Sequence, residues 1–149
     1  MRISPRRRAR EFVLQGLYQR QLSANPNAAI REQVAAAAGF PKADEAYFDV
    51  LWAGVTTDYD ALVELVSPKL DRRAAELSPI ERAILVIGAW ELAHRPEIPC
   101  RVVINEAIEL AKAYGGTDGH KFVNGVLDKL AATVRAGEIE AAHRDTGTD

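Results

Sequence analysis

The sequence has very little of the chemistry on which most catalytic and metal sites depend. Cys100 is the only cysteine, which excludes an internal disulfide and leaves no set of thiolates for zinc. The three histidines, at positions 94, 120 and 143, do not form the i, i+4 pair that binds a metal on a helix. Neither a glycine-rich phosphate loop nor a nucleophile elbow is found. We therefore expect a protein that is not an enzyme and that needs no metal or cofactor.

Long apolar runs and strand patterns are missing as well. No uninterrupted apolar stretch reaches the roughly 18 residues of a membrane span, and the basic start of the chain leads into an amphipathic segment rather than a signal-peptide core. We expect no membrane contact and a cytoplasmic location. No segment alternates apolar and β-branched residues with polar ones for long enough to predict a strand. A hydrophobic content of 48% in 149 residues is sufficient for one core.

Apolar residues instead recur at helical spacing along most of the chain. The predicted helices span approximately residues 5–22, 28–38, 43–66, 70–76, 79–94, 101–114 and 118–134. Ser4-Pro5 and Ser78-Pro79 are typical helix starts, and the apolar residues 83–90 predict a helix that is buried on all sides. We predict an all-α fold, a single compact bundle of six or seven helices formed by residues 1–137. Residues 138–149 are polar and lack periodicity, which predicts a disordered tail.

The strongest charge feature is a group of arginines at the start of the chain. The first ten residues contain five arginines and no acid, so the chain beyond Arg10 carries a formal charge of −7 against −2 overall. A helix start is the positive end of the helix dipole, where each exposed cation costs about 0.3 to 1 kcal/mol. A bound polyanion would offset that cost, although a solvated basic end with no such role is the alternative. The pattern predicts a nucleic-acid surface at Arg6, Arg7, Arg8 and Arg10, and we expect Arg7 and Arg10 to face solvent.

A second candidate region lies at the start of the last predicted helix. An acid, a cation and an aromatic residue occur there within five positions, namely Asp118, Lys121 and Phe122. A phenylalanine at the surface can stack on an unpaired base, a contact worth about 1 to 3 kcal/mol. The same ring can equally be a core residue, and the pattern leaves both roles open.

Three separated blocks of sequence resemble the NusB family of bacterial transcription antitermination factors. They are RRRARE at 6–11, INEAIELAK at 104–112 and KFVNGVLDK at 121–129, accompanied by LYQ at 17–19 and AGV at 53–55. The blocks occur in the order and at the spacing typical of that family. The resemblance covers roughly residues 2 to 136, and it does not cover the stretch 23–42 or the tail.

This resemblance implies a protein that binds the single-stranded boxA element of nascent ribosomal RNA transcripts and joins an RNA polymerase antitermination complex without a cofactor. It assigns RNA binding to the arginines and to the helix start already named. It also implies a protein partner, NusE, which is found in the small ribosomal subunit too. For NusE we expect a neighbouring surface made by Tyr18, Leu22, Glu76, Glu81 and Arg82. Glu81 has a competing role in capping a helix, and Leu22 has one as a core residue. Tyr18 and Leu22 would also suit a homodimer contact.

Two other functions are alternatives for a small helical chain with a basic first helix. NusB-like domains recruit RNA for certain rRNA cytosine methyltransferases, but the sequence shows neither a strand-rich domain nor a glycine-rich cofactor loop. The other alternative is a DNA-binding regulator that places its last helix in the major groove. Competition between single-stranded boxA RNA and duplex DNA would distinguish this regulator from an RNA-binding protein.

Overall fold

The computed structural model describes the backbone of residues 3–147 and the side chains through residue 141. This part of the chain forms eight α-helices and no strand, which confirms the all-α prediction with a larger number of helices. The helices are α1 (Pro5–Leu22), α2 (Asn27–Ala35), α3 (Glu45–Thr57), α4 (Tyr59–Val66), α5 (Pro79–His94), α6 (Cys100–Tyr114), α7 (Gly119–Val134) and α8 (Ala136–Gly147). None of these described helices is both long and apolar enough to cross a membrane.

Both predicted helix starts are present, each with a serine cap and a proline in the first turn. The Ser4 hydroxyl accepts a hydrogen bond from the backbone N–H of Arg7 at 3.1 Å, and Ser78 does the same for Glu81 at 3.1 Å. The Glu81 carboxylate accepts a hydrogen bond from the Ser78 hydroxyl at 3.0 Å. Glu81 therefore helps to hold the cap of α5 in place.

The central helix α5 organises the core. Its residues 83–92 are all buried, and it packs against α1, α3, α4, α6 and α7. Close approach to α3 requires a glycine, because a Cβ atom at Gly54 would lie only 2.2 Å from Cε2 of Trp90. The all-round apolar pattern of residues 83–90 thus correctly indicated a helix enclosed by its neighbours.

Three predicted segments differ from the structure. The helix expected over residues 43–66 is divided at Asp58 into α3 and α4, and the Thr56 hydroxyl donates to the Trp52 carbonyl at 2.7 Å just before this break. Such bonds from a side chain to its own helix favour bending. The short helix α2 ends at Ala35, earlier than expected. Of the segment 70–76, only Ala74–Glu76 is helical, as a 3-10 turn.

The tail expected to be disordered from residue 138 is helical where the structure describes it. A buried arginine, Arg135, lies directly before α8 and ties its start to the rest of the fold. The Arg135 guanidinium donates to the carbonyls of Leu92 at 2.7 Å and Ile98 at 3.0 Å, and it also forms an ion pair with Glu138. Glu138 in turn accepts a hydrogen bond from the backbone N–H of Cys100 at 2.8 Å. Apart from the Arg135–Glu138 pair, these contacts join residues distant in the sequence, so local periodicity gave no indication of them.

Candidate nucleic-acid interface

Helix α1 does not present its four arginines as one solvent-facing row. At about 100° per residue, Arg6 and Arg10 lie on one side of the helix and Arg8 lies on nearly the opposite side. Arg6 is exposed, with its guanidinium carbon 4.2 Å from the ring centre of Tyr47 and its Nε 3.8 Å from Asp44. Arg8 is half-exposed and forms no ion pair with the part of the chain that the structure describes.

The prediction that Arg10 faces solvent is wrong. Arg10 is only 4% exposed, and its Nε and Nη2 lie 3.0 to 3.1 Å from the carboxylate of Glu91, which is 1% exposed. The Tyr47 hydroxyl donates a hydrogen bond to the same carboxylate. Burial, followed by the negative charge of Glu91 and this hydrogen bond, raises the pKa of Tyr47 above its usual range. Arg10 therefore neutralises a buried acid and offers almost no surface to a ligand.

The sequence contained two signals for this burial. Arg10 precedes Val13, Leu14 and Leu17 by three, four and seven positions, which places it on the buried face of α1. Glu91 follows directly after the apolar run of α5, where an uncompensated carboxylate would be costly. Arg95 lies four positions after Glu91, but its guanidinium pairs with Glu97 at 3.0 Å.

Arg7 is held between the core and the surface. Its Nε and Nη2 form a fork with the two carboxylate oxygens of Glu106 at 3.0 and 2.8 Å, and Arg10 Nη1 lies 3.4 Å from the same group. Burial by itself would raise the pKa of Glu106, but the Arg7 hydrogen bond and the charges of Arg10 and Arg7 outweigh it and lower that pKa. The Arg7 side chain remains 31% exposed, so the solvent-facing prediction holds for it only in part.

The start of α7 keeps the predicted cation at the surface. The Lys121 side chain is 73% exposed, and its Nζ lies 3.7 Å from the exposed Asp118 carboxylate. Phe122 is partly buried against the core, while the guanidinium carbon of Arg72 lies 4.5 Å from its ring centre. The ring is thus packed on the core and partly exposed at the surface. Arg72 was not among the predicted site residues, because it lies 50 positions away in the α4–α5 connection.

Helix α6 lies between the two candidate regions. It binds Arg7 through Glu106 and packs along α7. Within the described side chains, no hydrogen bond or ion pair joins Arg6, Arg7, Arg8 or Arg10 directly to Asp118, Lys121 or Phe122. The two regions are therefore linked through α6 and make no direct polar contact.

The predicted partner surface contains an apolar depression. Tyr18 lines it together with Ile80 and Tyr114, and its volume is about 280 Å³. Leu22, on the same helix as Tyr18, is 60% exposed, which excludes a core role for it. Tyr114 was missed by the sequence analysis. Its hydroxyl donates to Glu11 at 2.6 Å, and burial together with this contact raises the pKa of Tyr114 to about 12.

The three charged residues proposed for the partner surface all have contacts within the chain. Glu76 forms an exposed ion pair with Arg73 at 3.2 Å, and Glu81 binds the Ser78 hydroxyl. Arg82 is half-buried and donates to the Leu77 carbonyl at 3.2 Å. Glu76 is therefore the most accessible of the three. In the described part of the chain, no group of three or more His, Cys, Asp or Glu side chains is arranged to hold a metal.

Comparisons with known proteins agree on one family. The NusB family model matches residues 7–132. The transcription antitermination protein NusB of Ralstonia nicotianae is 56% identical over 138 residues, covering 93% of this chain and 89% of the relative. Its counterpart in Azoarcus sp. strain BH72 is 57% identical over 145 residues, with 95% and 94% coverage.

Two solved structures have the same fold. T. maritima NusB has a TM-score of 0.80 and 28% identity, covering 94% of this chain and 99% of that one. A complex of the antitermination factors NusB and NusE with double-stranded RNA has a TM-score of 0.72 and 21% identity, covering 83% and 93%.

Proposed function

The chain belongs to the NusB family, and from this premise we propose that it is a transcription antitermination factor. In this proposal it binds the boxA element of nascent rRNA transcripts together with NusE and joins an RNA polymerase antitermination complex. Work on nascent transcripts requires a cytoplasmic location, which is part of the proposal. The main support for this proposal is that a cation remains exposed at each predicted RNA region, Arg6 in α1 and Lys121 in α7, although the net charge of the chain is −2.

The proposed RNA surface uses the arginines of α1 unequally. Arg6 and Arg8 contact phosphates, since a guanidinium fork matches phosphate geometry and bound phosphates release counterions. Arg7 contributes its exposed edge while Glu106 holds it in place. Arg10 acts indirectly, because its ion pair with Glu91 fixes the position of α1 against α5.

The proposed contact with bases is at the start of α7. Lys121 supplies charge, Phe122 supplies an aromatic surface, and Asp118 is an exposed acceptor that can bind base N–H groups. These three side chains differ in chemistry. Contacts with the bases read the RNA sequence, whereas contacts with phosphates mainly position the protein. All of this is binding chemistry, and we infer that the protein acts by contact and not by catalysis.

For NusE we propose the surface around the apolar depression. Tyr18 and Leu22 supply exposed apolar area, and Glu76 is the most accessible of the charged residues expected at this surface. Aromatic residues with polar neighbours are typical of protein interfaces. NusE would add its own RNA contacts, so the ternary complex should bind boxA more tightly than the chain alone. The same exposed area would be buried if two copies of the chain paired in the absence of NusE.

The deciding experiment is a gel-shift titration of the purified protein, with and without NusE, against three nucleic acids. These are single-stranded boxA RNA, duplex RNA of the same sequence and duplex DNA. We expect the single strand to bind most tightly and NusE to strengthen that binding. A preference for duplex DNA would refute the proposal, and a preference for duplex RNA would refute its single-stranded part.

Salt dependence tests the proposed division among the arginines. If Arg6, Arg8 and Lys121 each neutralise one phosphate, log affinity should fall against log salt with a slope of about −2. Replacing any of the three with alanine should make the slope shallower by about 0.7. A flat response in the wild-type protein would exclude phosphate contacts as the basis of binding. Size-exclusion chromatography with and without NusE would show whether the free chain pairs with itself.

A further inference from the structure

Arg72 lies over the aromatic ring that we place in the RNA site. It belongs to the irregular connection between α4 and α5, and its guanidinium carbon is 4.5 Å from the ring centre of Phe122 in α7. The 3-10 turn Ser67–Lys69, which begins this connection, packs against α7. Residues distant in the sequence thus form one layered contact at the surface.

The guanidinium is oriented by its neighbour and is not enclosed by the core. Arg72 Nε donates to Asp71 Oδ1 at 2.7 Å, and Nη2 lies 3.4 Å from Oδ2. The Arg72 hydrogen bond is the main reason that the pKa of Asp71 is lowered, so this acid stays ionised and keeps its hold on the guanidinium. The Arg72 side chain nevertheless remains 43% exposed. A planar cation is therefore held over the ring while part of it faces solvent.

This arrangement determines how a base can approach Phe122. The Phe122 ring packs against the core, and the Arg72 guanidinium lies over the ring. A base that approaches the ring from the side of Arg72 therefore meets the guanidinium first. Unpaired bases stack on guanidinium planes as well as on aromatic rings. The positive charge of Arg72 adds an attraction to the RNA backbone that Phe122 cannot supply.

We propose that Arg72 is a further RNA-contacting residue, on whose guanidinium a base stacks with Phe122 as the platform beneath. The proposal deepens the function proposed above and rests on it. The stack joins an aromatic ring, a cation and a base in one column. Asp71 is a positioning residue here, since it acts only by orienting Arg72.

The chain contains a matched control in the next residue. Arg73 carries the same charge and is more exposed, at 83%, and its Nε pairs with Glu76 at 3.2 Å. No aromatic ring of the described residues lies beneath its guanidinium. Arg73→Ala therefore removes one positive charge from the same connection without removing a stacking surface.

The test is a fluorescence-anisotropy titration of single-stranded boxA RNA with the wild-type chain and with R72A, R72K and R73A, first without NusE. We expect R72A to weaken binding at least fivefold more than R73A, the lower end of what one base stack contributes. R72K keeps the charge but lacks the plane, so it should match the wild-type salt slope and still bind more weakly. In an F122L background, R72A should have a much smaller effect, because the two residues act as one column.

Three results would overturn this inference while leaving the proposed function intact. The first is equal weakening by R72A and R73A, which would reduce Arg72 to a general charge. The second is tighter binding by R72A, which would mean that Arg72 covers Phe122 against the base. The third is that R6A and K121A abolish binding while R72A leaves it unchanged. If the wild-type chain binds no boxA RNA even with NusE, the proposed function fails, and this inference fails with it.

Discussion

Removing Arg10 should destabilise the fold far more than removing any other arginine of the N-terminal group. Arg10→Ala leaves the Glu91 carboxylate, which is 1% exposed, without its cation and with the Tyr47 hydroxyl as its remaining close polar contact. Breaking a buried ion pair from one side costs about 3 to 5 kcal/mol, because the other charge stays buried. For a domain of this size, each kcal/mol lowers the melting temperature by about 2 to 4 °C, so we expect a fall of about 6 to 20 °C.

The assay is urea unfolding followed by circular dichroism, with Arg6→Ala as the matched control. Arg6 is exposed and its nearest acid is 3.8 Å away, so its loss should cost less than about 1 kcal/mol. The double variant R10L/E91L removes both charges and should be more stable than R10A, since no unpaired charge remains. If R10A and R6A unfold at the same urea concentration, the buried pair contributes little and this reasoning is wrong.

Two further predictions concern pH and packing. The pKa of Glu106 is lowered in the folded state, so its ion pair stabilises the fold above the unfolded-state pKa, and this contribution is lost as the pH falls through the folded-state value. The stability difference between wild type and E106Q should therefore be largest above about pH 5 and should shrink in acid, and a constant difference from pH 7 to 3 would contradict the assignment. Gly54→Ala should lower the free energy of unfolding by about 1 to 3 kcal/mol, because the new Cβ would lie 2.2 Å from Trp90. A Cβ at Gly125 meets no heavy atom within 4 Å, so Gly125→Ala should raise that free energy by about 0.5 to 1 kcal/mol. Equal melting temperatures for these two glycine variants would show that Trp90 moves aside freely.

The helices were predictable because their signals are local. A serine followed by proline at Ser4 and Ser78 correctly placed the starts of α1 and α5, and the apolar run of residues 83–90 correctly indicated a buried helix. The break at Asp58 has a weaker local signal, because Gly54, Thr56 and Thr57 are poor helix formers, which predicts a weak middle of the segment 43–66 and not a break at one residue. Helix periodicity reports which face is apolar, but it does not report at which residue a helix is interrupted.

The candidate site was predictable in composition but not in geometry. The density of arginines between Arg6 and Arg10 predicts the first candidate region, and Lys121 and Phe122 predict the second. Charge density does not show which guanidinium meets a carboxylate from another helix. Arg10 and Arg7 are held by Glu91 and Glu106, which lie 81 and 99 positions away.

The fold class, the helix starts and the concentration of positive charge follow from the local sequence, because each of these depends on residues within a few positions of one another. The packing of the helices set the surroundings of each charge. It buried Arg10, divided Arg7 between an acid and solvent, left Arg6 exposed and brought Arg72 over Phe122. The physical reason is that the free energy of a charged side chain depends on its burial and on its nearest opposite charge or aromatic ring, and packing brings those neighbours from distant parts of the chain.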